Sequence, residues 1–192
     1  MEKTTKDASV WIEEGYSLFA RGGLDAIRAE KLAGILGLNE SGVNYYYGGL
    51  DGFCAELLAL HEKKITSFLQ HINKIKTLDP EYLHLLIEHS TTVMFQVQLV
   101  RTNHNHCFFT EGEKNDQRIS FSLFHVWCDY LCIQKDPRLA LRCYNVVRDM
   151  LYSRINFKNL NYQYLRNLAK EARLIIGEVE QPMTLKNGNF FG

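Results

Sequence analysis

Residues 28–53, RAEKLAGILGLNESGVNYYYGGLDGF, constrain this chain more than any other stretch. Leu32, Ala33 and Leu36 fall at helical spacing, Gly37 can take the left-handed conformation that closes a helix, and Asn39 suits the N-cap of the next one. The spacing predicts a short helix, a tight turn at Gly37, a second short helix and the start of a long third one. Two helices joined so briefly form a helix-turn-helix, a unit whose second helix usually lies in the DNA major groove.

Short helices cannot bury a core alone, and the flanking sequence supplies what they pack on. Residues before Asp7 read as a loose leader, after which Val10, Trp11, Leu18 and Phe19 mark one side of a first helix that Gly22 and Gly23 end. Asp51 is placed to cap a helix reaching about Lys76, roughly 39 Å at about 1.5 Å per residue. Its seam is Cys54, Leu58, His61, Ile65, Phe68, Ile72 and Ile75, with His61 read as a core or edge histidine. Asp79-Pro80 opens a helix to about Arg101 that is apolar on nearly all faces around 93–100 and so belongs inside. A polar break at 102–106 and a charged loop at 111–117 precede a helix over 118–134. Asp136-Pro137 starts another, and Asn161 caps the last. Residues 181–192 are expected to be a disordered tail.

Three prolines and long runs of helix formers at helical spacing make the class all-α, and 46% apolar residues in 192 suffice for a substantial core. The 22 basic residues balance the 22 acidic ones, so no general field draws the chain to nucleic acid or to anionic membrane. Residues 1–50 carry five basic side chains against seven acidic ones, a net −2, and the second helix of the turn motif has no Lys or Arg. Five cysteines without a CxxC pair, and no signal sequence ahead of the first helix, suggest reduced thiols in a cytoplasmic protein. No apolar run approaches the roughly 20 residues of a membrane span. His125, Cys128 and Cys132 share a helix face, with His104, His106 and Cys107 upstream, but buried thiols beside a loop histidine explain them better than a metal. No cofactor or catalytic motif is expected.

The first 55 or so residues resemble the DNA-binding domain of TetR-family transcriptional regulators. The resemblance is carried by Leu18-Phe19 and Gly23 at the end of the first helix, Leu32-Ala33 in the second, and Gly37-Leu38-Asn39 at the turn. Tyr46-Tyr47 and the lead-in Leu50-Asp51-Gly52-Phe53 complete it without a gap. It implies a helix-turn-helix domain over 1–50 and a helical ligand-binding and dimerisation domain over 51–180. It also implies a homodimer that binds double-stranded operator DNA and answers an unknown small-molecule effector. The chain departs from the family at Glu40, where a lysine or small polar residue is usual, at Gly42 (Ser or Thr), at Asn44 (tyrosine) and at Leu50 (lysine).

On this reading Arg28, Asn39, Ser41, Asn44 and Tyr45 are the DNA-binding candidates. Asn44 can pair with an adenine edge or be an exposed amide that reads nothing. Aromatic and amide groups nominate Phe95, Gln98, Phe108, Phe124 and Trp127 for the ligand pocket. The amphipathic last helices nominate Val147, Met150, Leu151, Leu165, Leu168, Ala172 and Ile175 for the dimer interface, although the same stripe can be used within one chain. The alternative is a helical dimer of the same fold that has lost direct DNA binding and acts through a protein partner or as a small-molecule binder.

Overall fold

In the computed structural model, which describes residues 2–102, 106–133 and 137–180, the chain is all-α. Helix α1 (Glu2–Gly22) leads through a 3-10 turn at Leu24–Ala26 to α2 (Ala29–Leu36), α3 (Ser41–Tyr47) and the long α4 (Leu50–Ile72). A turn of π geometry at Leu78–Tyr82 is followed by α5 (Leu83–Glu88), α6 (Ser90–Arg101), α7 (His106–Leu131), α8 (Pro137–Arg154) and α9 (Tyr162–Glu180). Asp136 and the segment 181–192 lie outside the described residues.

Several boundaries differ from those the sequence suggests. The first helix begins at Glu2, with no leader before Asp7. Gly49 rather than Asp51 stands at the cap of α4, which stops at Ile72, short of Lys76. The single helix expected between Pro80 and Arg101 is broken at His89, whose φ of −97° and ψ of 28° separate α5 from α6. The largest change is at 111–117, which is helical and belongs to α7. Its charges do not need a loop: Lys114 pairs with Glu111 at 3.1 Å one turn away, while Asn115 and Asp116 turn inward and are buried. At the last helix the expected cap is present, because the Asn161 carboxamide oxygen accepts the Tyr164 N–H at 3.0 Å. Asp79 ties that helix to the α4–α5 corner by accepting from the Tyr162 hydroxyl at 2.6 Å and from Arg166 Nε at 3.2 Å.

Helix α6 is the centre of the molecule. Thr92 through Val97 and Leu99 are all buried, because α1 lies along one side of it, α7 along another, and α4 crosses both neighbours. Aromatic rings join α1 to α7 across this helix: Phe95 stacks on Tyr16 at 4.2 Å and lies 4.3 Å from Phe19, which in turn stacks on Phe108 at 5.3 Å. One continuous apolar core therefore runs from Trp11 to Ile176, and the N-terminal helices share it with the rest. Since Phe95 is fully buried in that core, Phe95→Ala should cost about 3–5 kcal/mol and Phe95→Leu only about 1–2 kcal/mol. The midpoint of a urea transition at unchanged slope measures both.

Candidate nucleic-acid interface and core cavity

Gly37, at φ 65°, closes α2 in the left-handed region and lets the chain reverse within four residues. The residue at the cap of α3 is Glu40, not Asn39 as the sequence suggests; the Asn39 side chain instead accepts the Ser41 N–H at 2.9 Å from one position earlier. Val43 is the buried anchor of α3, and Ser41, Asn44 and Tyr45 point away from the core, Tyr45 with 73% of its surface exposed. Arg28, at the cap of α2, and Asn39 are exposed on the same α2–α3 unit, so the five residues named from sequence all lie on its solvent side. Glu40 is exposed there too.

On its inner side α3 rests on Trp11 of α1. A Cβ built on Gly42 would lie 2.5 Å from Trp11 Cζ2, and Trp11, only 1% exposed, has no room to retreat. The glycine that departs from the TetR pattern is thus matched to an indole that lets α3 pack flush on α1. The Tyr47 hydroxyl adds a second tie by donating to the Ala8 carbonyl.

A chain of buried polar groups starts near this contact. The Tyr16 hydroxyl lies 2.7 Å from His61 Nδ1, and His61 Nε2 lies 3.0 Å from Gln96 Oε1. Gln96 Nε2 donates to the Gly112 carbonyl at 2.7 Å and to Asp116 Oδ1 at 2.8 Å. Because Gly112 offers only an acceptor, the Gln96 amide must face it with its nitrogen; His61 Nε2 then carries the proton and Nδ1 accepts from Tyr16. The Tyr152 hydroxyl donates to Asp116 Oδ1 at 2.8 Å, and Arg148 faces Oδ2 at 3.3 Å while also holding Asp149 at 2.7 Å. Burial pushes His61 down to about 4. It also pushes Asp116 up to about 6 against the donors around it. At neutral pH the chain is a neutral imidazole and a carboxylate. Of its members the sequence singled out His61 alone, as a core histidine, and that histidine has both ring nitrogens partnered.

Arg148, Tyr152 and Gln96 also stand in the wall of a cavity of about 70 Å³ between α4, α5, α6, α7 and α8. Ile65, Phe68, Leu86, Ile119 and Leu123 are among its apolar lining residues. Of the five pocket residues expected from sequence only Trp127 is there. Phe95 and Phe108 are spent in the aromatic stack, Gln98 lies against Gly23, and Phe124 packs on the core from outside the cavity. Phe95 and Gln98 sit on the sides of α6 that face α1 and the turn at Gly23, and Phe124 is one residue off the α7 face of Ile119, Leu123 and Trp127 that lines the cavity. Two residues named for the dimer interface, Val147 and Leu151, line the cavity instead. Leu165, Leu168 and Ala172 are buried within the chain, Met150 is half-buried, and Ile175 alone of the set is exposed. The indole N–H of Trp127 is buried and has no acceptor.

The histidine and cysteine grouping does not converge. His125 Nε2 lies 3.4 Å from the Ile75 carbonyl, Cys128 is buried, and Cys132 sits just past α7 at φ 60°. Among the described residues no three His, Cys, Asp or Glu side chains are placed to hold a metal. His104 and the His106 side chain lie outside them. No helix of the described residues is long and apolar enough to cross a membrane. No family model, curated protein or solved structure matches the chain.

Two outcomes are expected from this geometry. Gly42→Ser should destabilise the protein by about 1–3 kcal/mol, and a second change, Trp11→Leu, should recover part of the loss in a double-mutant cycle. The other concerns pH. His61 titrates near 4 in the folded state and near 6.5 when unfolded, so its neutral form stabilises the fold above about pH 6.5 and that stability is lost as the pH falls toward 4. Asp116 acts in the opposite sense, since its raised value makes ionisation a cost that acid relieves as the pH falls from about 6 to 3.8. In the native protein the two contributions largely cancel between pH 6 and 4. In Asp116→Asn the His61 contribution stands alone, and stability measured by urea titration should fall by roughly 2 kcal/mol across that window.

Proposed function

We propose that this chain is a TetR-like transcriptional regulator, a homodimer that reads operator DNA with α3 and responds to a small molecule in the core cavity. The observation that carries the reading is the α2–α3 unit: two short helices hinged at a left-handed Gly37, with Ser41, Asn44 and Tyr45 turned outward on a helix held from behind by Val43 and Trp11. Two such units in a dimer would enter major grooves about 34–36 Å apart. The apolar side chains left exposed on α8 and α9, Leu141, Val146, Leu174 and Ile175, are the ones we assign to the contact between copies. The polar chain from Arg148 and Tyr152 to Tyr16 gives the cavity a route to α1, and α1 carries α3 through Trp11 and Gly42.

A second reading has an observation of its own. The outward face of α3 has no cation and stands beside Glu40, so phosphate neutralisation, the main source of sequence-independent affinity, is weak there. A dimer of this fold that has given up direct DNA binding and acts through a protein partner fits that surface.

Selection from a random duplex library at low salt separates the two. The regulator reading expects an enriched inverted repeat. Asn44→Ala should relax selection at one base position per half-site, by about 1–3 kcal/mol of discrimination. Glu40→Lys should tighten binding and steepen the slope of log affinity against log salt by about 2 for a dimer. No enrichment by the native protein, with binding gained in Glu40→Lys, supports the second reading.

A further inference from the structure

We propose that the cavity between α4 and α8 takes a small, neutral, largely apolar molecule with one hydrogen-bond acceptor, which the Trp127 indole N–H recognises. The inference rests on the cavity being the effector site and adds the chemistry of its occupant.

Size comes first. At about 70 Å³ the cavity is roughly half of the ~150 Å³ that accepts the six carbons of benzene, so it takes a six-atom molecule only as its walls move and excludes a drug-sized ligand. Its walls are mainly aliphatic and aromatic, through Ile65, Phe68, Leu86, Ile119 and Leu123, which favours an apolar body over a cluster of water.

Charge then decides the head group. Arg148 is the cation of the wall, and it is already shared between Asp116 at 3.3 Å and Asp149 at 2.7 Å. An anionic ligand would have to take Arg148 from Asp116 and leave that carboxylate, whose side chain is 0% exposed, without its counter-charge. A cationic ligand meets the opposite obstacle, since Arg148 in the wall repels it and Asp116 Oδ1 already accepts from Gln96 and Tyr152, while Oδ2, which no donor satisfies, faces Arg148 at 3.3 Å. A neutral head avoids both.

Hydrogen bonding selects an acceptor. Trp127 is part of the cavity wall, and its N–H is the buried nitrogen donor without a partner among the described residues. Such a donor carries a standing cost that an acceptor brought by the ligand removes. An indole N–H can only donate, so a carbonyl or ether oxygen satisfies it and a purely apolar group does not.

Three probes of matched size test this: cyclopentanone, methylenecyclopentane, in which CH2 replaces the oxygen, and cyclopropanecarboxylate. The chain has two tryptophans, so the indole region of a nitrogen–proton correlation spectrum holds two signals, and Trp127→Phe identifies one of them. Cyclopentanone should move the Trp127 signal downfield and bind about five- to tenfold more tightly than methylenecyclopentane, with the carboxylate weakest. Trp127→Phe should abolish that preference and keep methylenecyclopentane binding, and Val147→Phe, which fills the cavity, should lose all three probes. Equal binding of the two neutral probes, tightest binding of the carboxylate, or no probe-dependent shift of the Trp127 signal overturns the proposal. DNA binding is read separately by selection. A moved indole signal without operator binding removes the regulator reading, while operator binding without a moved signal removes this ligand class.

Discussion

A carboxamide in the middle of an apolar helix must spend both of its ends, and Gln96 does so across the centre of this protein. Its nitrogen is committed to Gly112 and Asp116 on α7, and its oxygen to His61 on α4, which commits the other ring nitrogen to Tyr16 on α1. Four helices are thereby held in one register, because both ends of one side chain are committed and a slip of α6 by one residue would break its bonds to α4 and α7 together. The net stability from such a set is small, since desolvation offsets most of what the hydrogen bonds return. What it fixes is which faces meet. The apolar surroundings, with Phe95 stacked between Tyr16 and His61, supply the burial that makes a mispaired arrangement expensive.

The same set explains why the N-terminal helices do not form a separate head. A helix-turn-helix of 50 residues has little core of its own, and here α1 spends its inward side, Tyr16 and Phe19, on α6 and α7 rather than on α2 and α3 alone. Helix α3 depends on α1 in turn, through the flush contact of Gly42 on Trp11. Position and tilt of the outward face of α3 therefore follow α1, and α1 follows the central helix.

Local signals in the sequence missed the cap of α3 by one residue, Glu40 for Asn39, and were enough for the helical class, the turn at Gly37, the Asn161 cap and the burial of α6. Each depends on a few neighbouring residues with a distinct preference. The buried polar network was not legible, for a reason that can be traced to residues 111–117. Their charge reads as a loop, yet once the segment is helical, Gly112, Asp116, Ile119, Leu123 and Trp127 recur at steps of three or four on one face. Asp116 is the ionisable member of that stripe, and its position among apolar neighbours is the sequence signal for the buried network. The interface residues failed differently. Leu165, Leu168 and Ala172 do form an amphipathic stripe, but periodicity says only that a face is buried, and a neighbouring helix of the same chain covers it as well as a second copy would.

The small size of the cavity bears on how an occupant could reach α3. A ligand shifts a conformational equilibrium only by the difference between its affinities for the two states, so a cavity already shaped to its occupant would give binding without a signal. Here 70 Å³ is tight even for a six-atom ring, and Val147, Arg148, Leu151 and Tyr152 all come from one wall, α8. Widening the cavity by moving that wall pulls Arg148 and Tyr152 from Asp116, and Asp116 shares Gln96 with His61 and Tyr16. An occupant that needs more room than the resting state offers is, by that need, an occupant with a preference between states. A close-packed core with single-partner hydrogen bonds passes such a displacement on as a change of register rather than absorbing it.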